Sequence, residues 1–445
     1  MMRCPRQVKT RTAARRARPA AMLRRFLADN AGASAVLVGV MLPVLIGGLG
    51  LGAESGYWMA RQRTVQHAAD MAAHAAAVRL RSGASAAERT AAAETSAAGA
   101  GFDPGAGTLV VNVPPASGAF AGDANSVEVG LAETRRRLLS SIFISDPITL
   151  SGRAVAQVSG GSKGCVLALA RSAPGAVTAT GSAAVSLTGC DIASNSVAAD
   201  SFLMSGSSTA VTSGCIFTVG EAVTTANLNL TRCPTVSEFA PVVKDPYANV
   251  AEPAMVGPCQ NSSVGKNNQT TVLSPSDSHP SGVPSMRFCN GLDVKGQIQF
   301  GSGLYLIEGG DFTINGGDLS GTAGLDGSAV VFFLGSNARL RIGGNATFGL
   351  TAPTSGPYAG ILFFGSRNGT GITHQITGTS ASTMRGAVYA PVSGVEFTGN
   401  STVSNGCTQI VARTITFTGN STLQSDCTNA GTRDIVVDEI VRVVE

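Results

Sequence analysis

The sequence predicts a mainly β protein carried on an N-terminal transmembrane helix. A helical stalk with a small antiparallel sheet follows the anchor, and then a parallel β-helix, a solenoid stapled by disulfides. Three observations predict it: an uncharged apolar span behind a basic segment, Gly-punctuated repeats of short β-runs, and eight cysteines beyond the span. Composition agrees. The 445 residues include 55 Gly but only 13% charged residues, against 44% hydrophobic ones. Ordinary soluble domains carry about 25% charge. A charge-rich disordered chain and a long charged coiled coil are both excluded, and length alone suggests about three domains.

Residues 1–30 form a basic tail with nine Lys or Arg and one acid, Asp29. That segment carries +8, so the remaining chain sums to −4 against the net +4. A basic terminus is often a nucleic-acid site, but this one runs directly into the uncharged stretch 31–53, and no nucleic-acid partner is expected. A span of ~20 apolar residues crosses a bilayer as a helix, with the flanking positive charge on the cytoplasmic side. Tyr57 and Trp58 then fall where the opposite interface lies. The stretch is longer than the apolar core of a signal peptide, and Leu37 stands where prepilins place a Glu after the cleavage glycine, so the anchor is read as retained. Gly48, Gly52 and Gly56 recur every four residues. That spacing lets membrane helices approach closely and makes a homo-oligomer a candidate state.

Residues 54–160 read as the helical stalk and a small α+β, pilin-like region. Val65, Ala69, Ala72, Ala76 and Leu80 fall on one helical face, and the helix is expected to continue as one rod to about Gly99. His67 and His74 are seven apart, about 10 Å along a helix, too far to share a metal. Runs at 108–113, 126–131 and 148–158 are rich in β-branched residues and read as strands, with a turn and short helix at 135–144.

Residues 161–433 read as the β-helix. "FTGNST" occurs at 397–402 and again at 417–422, identical over six residues, and Cys407 and Cys427 keep the period of 20. Looser copies begin at Thr178, Phe202, Phe312 and Leu340, and Cys165, Cys190 and Cys215 are spaced 25 apart. Such periods signal a solenoid. Phe397 is expected to stack on Phe417, and Asn400 on Asn420. The stretch 233–289, rich in Pro, Ser and Asn, reads as an insertion pinned by its cysteines, and 434–445 as a closing strand or partner-binding tail.

There are nine cysteines. Cys4 precedes the span, and the other eight follow it, an even count that reads as disulfides in an oxidising compartment. Zinc is not expected, because the closest pair is 18 apart and His279 and His374 stand alone. Neighbouring coils supply the Cα spacing a disulfide needs, so Cys407–Cys427 is the first expected bridge and Cys259–Cys289 the second. Cys165, Cys190, Cys215 and Cys233 leave three pairings open.

No catalytic, cofactor or metal residue is expected. Paired carboxylates for glycoside chemistry have Asp311 and Asp318 as best candidates, with Asp326 further on, but turn positions explain the first two more simply. The run 160–164 matches G-x-S-x-G, a pattern that is reactive only at a strand-to-helix elbow.

The segment 31–77, with "LPVL" at 42–45, Glu54, and "QRTVQHAADMAAHAAA" at 62–77, resembles the TadG-like N-terminal region of tight-adherence (Flp) pilus-assembly proteins. The resemblance covers about a tenth of the chain. It implies a single-span bacterial inner-membrane protein, N-terminus cytoplasmic and bulk periplasmic or extracellular, working with pilus-assembly or pilin proteins or in surface attachment. Some relatives carry a metal-binding D-x-S-x-S motif, and this chain has none. The expected role is non-enzymatic, with the β-helix as a partner-binding surface. The alternatives are a glycan-binding surface adhesin and a pectate-lyase-like polysaccharide-acting enzyme.

Overall fold

The computed structural model describes residues 31–445 except 267–268, 315–323, 344–345, 378–382, 399–400, 403–406, 420, 425–426 and 428. The basic tail with Cys4, Asp318, and the expected Asn400–Asn420 stack lie outside the described residues. The chain is mainly β, with one long apolar helix at its start and four disulfides.

Helix α1 spans Ala31–Arg81, 51 residues with Pro43 inside. Its first part is exposed on all sides, and from Val65 onward it buries Val65, Ala68, Ala69, Ala72, Ala73, Ala76 and Ala77. These fall at the three-to-four spacing of one helical face. The expected single rod is in fact two helices. Arg79 and Arg81 occupy the last turn of α1, where cations suit the helix dipole, and Gly83 at φ +74° closes it. A left-handed residue at that place satisfies the last carbonyls and stops the helix. Helix α2, Ala86–Gly99, then starts with a capping box: Ser85 Oγ accepts from the Glu88 amide, and the Glu88 carboxylate accepts from the Ser85 amide.

Three strands follow: β1 (Gly107–Asn112), β2 (Ser126–Arg135) and β3 (Ile148–Ala168), with β1 paired to β2 and β2 to β3. A single 3₁₀ turn, Leu139–Ile142, lies between β2 and β3. These elements fall on the runs the sequence marks as strands and short helix.

By compactness the chain divides into two units. The first comprises the described part of Met1–Ala69 with Ala97–Leu109 and Gly130–Arg153, and the second Asp70–Ser96, Val110–Val129 and Ala154–Glu445. In the first unit α1 lies along the start of β3. Gln62 Nε2 donates to the Ser151 carbonyl at 2.6 Å, and Gln66 Nε2 to the Arg153 carbonyl at 2.8 Å. The approach is close enough that a Cβ at Gly152 would stand 2.8 Å from the Val65 carbonyl oxygen, so only glycine fits.

The second unit is a parallel strand ladder in which strands pair with strands about 20–30 residues away. One column runs through Ser285–Phe288, Gly303–Ile307, Val330–Leu334 and Ile361–Gly365, then residues 386–390 and 408–412. Ile410 then pairs with Val166, and the column continues through Asp191–Ser194 to Ile216–Thr218. The tiers nearest the C-terminus therefore stack beneath the tiers nearest the N-terminus, an order that chain sequence alone does not suggest.

That order explains the stretch after Cys233. Residues 231–262 return from the last tier of the column to the first, running across its outer face as a strap. Asn195 Nδ2 donates to the Val243 carbonyl, Tyr247 Oη to Gln409 Oε1, Ser366 Oγ to Glu252, and the Gln260 amide to the Arg287 carbonyl. Its backbone pairs with the ladder only at isolated places near its two ends, Ser237 with Phe217 and Cys259 with Arg287. Pro, Ser and Asn fit this role, because they supply side-chain bonds and tolerate missing backbone ones. Residues 233–289 also contain three ladder strands, Ser263–Val264, Thr270–Leu273 and Ser285–Phe288, so pairing resumes well before Cys289.

The strap gives the column two buried faces. Gly303–Ile307, Val330–Leu334 and Ile361–Gly365 are buried at every position, as expected of strands covered on both sides. Inward lie Phe300, Tyr305, Phe312, Phe332 and Phe363; outward lie Leu304, Leu306, Phe333, Phe364 and Tyr389, with Tyr247 of the strap packed in the same cluster. Phe397 stacks on Phe417 at 5.8 Å between centroids. The disulfides are Cys165–Cys190, Cys215–Cys233, Cys259–Cys289 and Cys407–Cys427. The second and third fasten the two ends of the strap. The C-terminal strand Ile435–Val443 pairs antiparallel with β3 over residues 156–164.

Candidate functional site

Two regions carry organised polar chemistry, one in each unit. In the first unit it sits at the exit of the apolar stretch of α1. Glu54, 4% exposed, accepts from the Leu138 amide (2.9 Å), the Ser140 amide (2.6 Å), Ser140 Oγ (2.7 Å) and Trp58 Nε1 (3.2 Å). Desolvation pushes its carboxyl up, but these donors together outweigh it and hold the group down to about 2. Two turns further, Glu133 is fully buried and takes Arg61 in a bidentate pair, Nε to Oε2 at 2.9 Å and Nη2 to Oε1 at 2.6 Å. Arg135 also pairs with Glu133 and reaches Asp103 at 2.9 Å. Burial raises Glu133, and the two guanidinium groups bring it below the usual carboxylate range. Glu54→Ala is expected to accelerate amide exchange at Leu138 and Ser140 while leaving the β2–β3 amides unchanged, as read by hydrogen exchange.

In the second unit a groove of about 370 Å³ runs over the outer face of the column made by Thr270–Leu273, Gln297–Phe300, Gly324–Gly327, Thr347–Thr351 and residues 383–385. Ile298, Leu325 and Phe348 turn inward. Thr270, Gln297, Gln299, Asp326, Thr347 and Thr383 point the other way. Pairing sets Gln299 beside Asp326, Asp326 beside Gly349, and Gly349 beside Thr383. Among the described residues the lining combines hydroxyls, amides and one carboxylate with the buried Ile298, Leu325 and Phe348, and holds no cation. It offers hydrogen bonds to a polar partner and supplies no nucleophile–base pair.

The sequence candidates are dispersed. Asp311 is occupied by Arg341 (2.9 Å) and Arg339 (3.5 Å). Asp326 lines the groove, away from that pair. Ser162 of the G-x-S-x-G run lies inside β3, opposite Val437, and donates to Asp191, so no elbow presents it. His67 and His74 are exposed. His279 is held by Ser281 and the Ala254 carbonyl. Added Cβ atoms at Gly48, Gly52 and Gly56 would meet nothing within 4 Å. Among the described residues no three His, Cys, Asp or Glu converge as a metal site.

His374 is 2% exposed, and its Nδ1 accepts from the Leu340 amide at 3.2 Å. Desolvation lowers it to about 4, against a smaller upward pull from Asp311. The sign follows directly: between pH 6.5 and 4 the unfolded chain binds a proton that the folded chain refuses, so stability falls as pH falls through that window. The loss is expected to reach up to about 3 kcal/mol near the lower end. Urea midpoints at neutral and acid pH check this, and His374→Gln should flatten the difference.

Sequence reading missed the Arg61–Glu133 pair, 72 residues apart, and the strap lock around Tyr247. Tyr389 donates to Asp245 and Tyr247 to Gln409, while Arg367 donates to the Tyr247 carbonyl. Burial pushes Asp245, Tyr247 and Tyr389 up. The Asp-Pro-Tyr run at 245–247 was the available signal.

No curated protein and no solved structure matches the chain significantly. One family model does, over residues 32–79. That match covers the apolar stretch of α1, Glu54, Arg61 and most of the buried alanine face. In its N-terminal region the chain is similar to the Flp pilus-assembly TadE/G-like family.

Proposed function

We propose that the chain is a membrane-anchored, non-enzymatic component of Flp pilus assembly or surface attachment. The observation that carries this reading is the coincidence of the family match at 32–79 with a helix long and apolar enough to cross a membrane. The helix spans the bacterial inner membrane once, with the basic tail cytoplasmic and the remainder periplasmic or beyond. The ladder of the second unit is a parallel β-helix. Its polar groove over Gln299 and Asp326 is the partner surface, offered to a pilin, a sibling subunit or a glycan. Gly48, Gly52 and Gly56 provide the face for self-association within the membrane. The ion pairs of Asp311 with Arg339 and Arg341 support binding over polysaccharide cleavage.

Washing membranes with alkaline carbonate tests the anchor. The full chain is expected to stay in the pellet, and Cys4 to react with an impermeant thiol reagent only after the inner membrane is opened. Release into the wash, or labelling of Cys4 from outside, contradicts the topology.

A further inference from the structure

The 3₁₀ turn after β2 has a composition that water does not explain. Leu138, Leu139, Ile142, Phe143 and Ile144 lie within seven residues and are 56%, 49%, 78%, 79% and 48% exposed. Exposed apolar clusters of this kind mark protein or membrane contacts. The turn is not a loose tip. Glu54 holds the amides of Leu138 and Ser140, and Leu139 packs so tightly on α1 that a Cβ at Gly50 would meet its Cδ1. Gly50 is three residues inside the end of the uncharged stretch, about 4.5 Å at the helical rise.

The patch is therefore continuous with the apolar surface of α1, where Ile46, Leu49 and Leu51 are also exposed. Its flanks carry the complementary charge. Arg136 and Arg137 precede it, and Arg63 lies further out along α1, while Arg61 and Arg135 are taken up by Glu133 and Asp103. Apolar residues below, arginines above and Tyr57 with Trp58 between them is the layering of a bilayer interface.

We infer that residues 138–144 insert into the bilayer interface beside α1, as a second membrane contact that sets the depth and rotation of the span. The occupant of the patch is lipid: acyl chains against Leu139, Ile142 and Phe143, and headgroup phosphates against Arg63, Arg136 and Arg137. Glu54 is a positioning residue here, because it fixes the turn to the helix at that depth. The inference rests on α1 crossing the membrane.

The test uses the full chain with Trp58→Phe and Phe143→Trp, reconstituted in phosphatidylcholine–phosphatidylglycerol vesicles containing lipids brominated high in the acyl chain. Ile142→Trp provides a second probe if the first variant folds poorly. The expected result is blue-shifted emission that loses most of its intensity with brominated lipid. Unquenched emission from a chain that still floats with carbonate-washed vesicles overturns the inference and leaves the span standing. Failure to float removes the span and the inference together. A blue shift without quenching that fades as lipid dilutes the protein assigns the patch to a second copy, which also overturns it.

Discussion

Phe332→Ala is expected to lower the unfolding free energy of the second unit by about 3–5 kcal/mol, the range for truncating a buried aromatic residue. Phe332 is fully buried and touches four other rings, Phe300, Tyr305, Phe312 and Phe363, at centroid distances of 4.9, 5.3, 5.1 and 5.3 Å. Phe300, Tyr305 and Phe312 belong to the tier on one side of Phe332 and Phe363 to the tier on the other. The cavity would therefore open between tiers, where backbone pairing prevents collapse from above or below. Phe332→Leu, which refills much of that space, should cost markedly less. Pulse proteolysis across a urea series reads both. An unchanged midpoint for the alanine variant would mean that the ring stack does not hold the tiers together.

The second large effect belongs to the strap. Cys215–Cys233 and Cys259–Cys289 close loops of 18 and 30 residues, and in the chain-entropy account each contributes about 3–4 kcal/mol. Cys407–Cys427 closes 20 residues and contributes a similar amount, but it fastens no strap. Paired Cys→Ser variants separate stability from position. All three pairs should lower the urea midpoint, whereas only the two strap pairs should open new protease cleavage between 231 and 262. Equal cleavage in the Cys407→Ser/Cys427→Ser variant would contradict the division of labour. The outer core explains why release of the strap is expensive: Leu304, Leu306, Phe333 and Phe364 pack in one buried cluster with the strap residues Ala240, Val243, Tyr247 and Val250.

What the sequence made legible was local. The long apolar helix, the three strands, the 3₁₀ turn and the stacking of Phe397 on Phe417 each follow from a pattern contained within a few dozen residues. The order of tiers did not follow, because the pairing of Ile410 with Val166 joins segments more than 200 residues apart and leaves no periodic mark in either. The strap was visible only as a composition shift. Its direction depends on where the ladder begins, which was the missing fact. Double burial was encoded in "VVFFL" and "ILFFG", continuous apolar runs rather than alternating ones, yet such runs fit a buried helix equally well by periodicity. The rod broke at Gly83 because Ser85 and Glu88 form a capping box that starts a new helix.

The candidate site was less legible still. Glu54 stood out as an acid beyond the span, but its ligands Leu138 and Ser140 come from a turn that folds back over more than 80 residues. The groove consists of Thr, Gln and Asp spaced by whole tiers, so no short motif contains it.

Pili per cell, counted by electron microscopy in a strain lacking this chain and in the same strain carrying it again, test the central claim most directly. Loss of pili on deletion and their return with the full chain is the predicted result. Unchanged pilus numbers in the deletion strain would contradict a role in assembly.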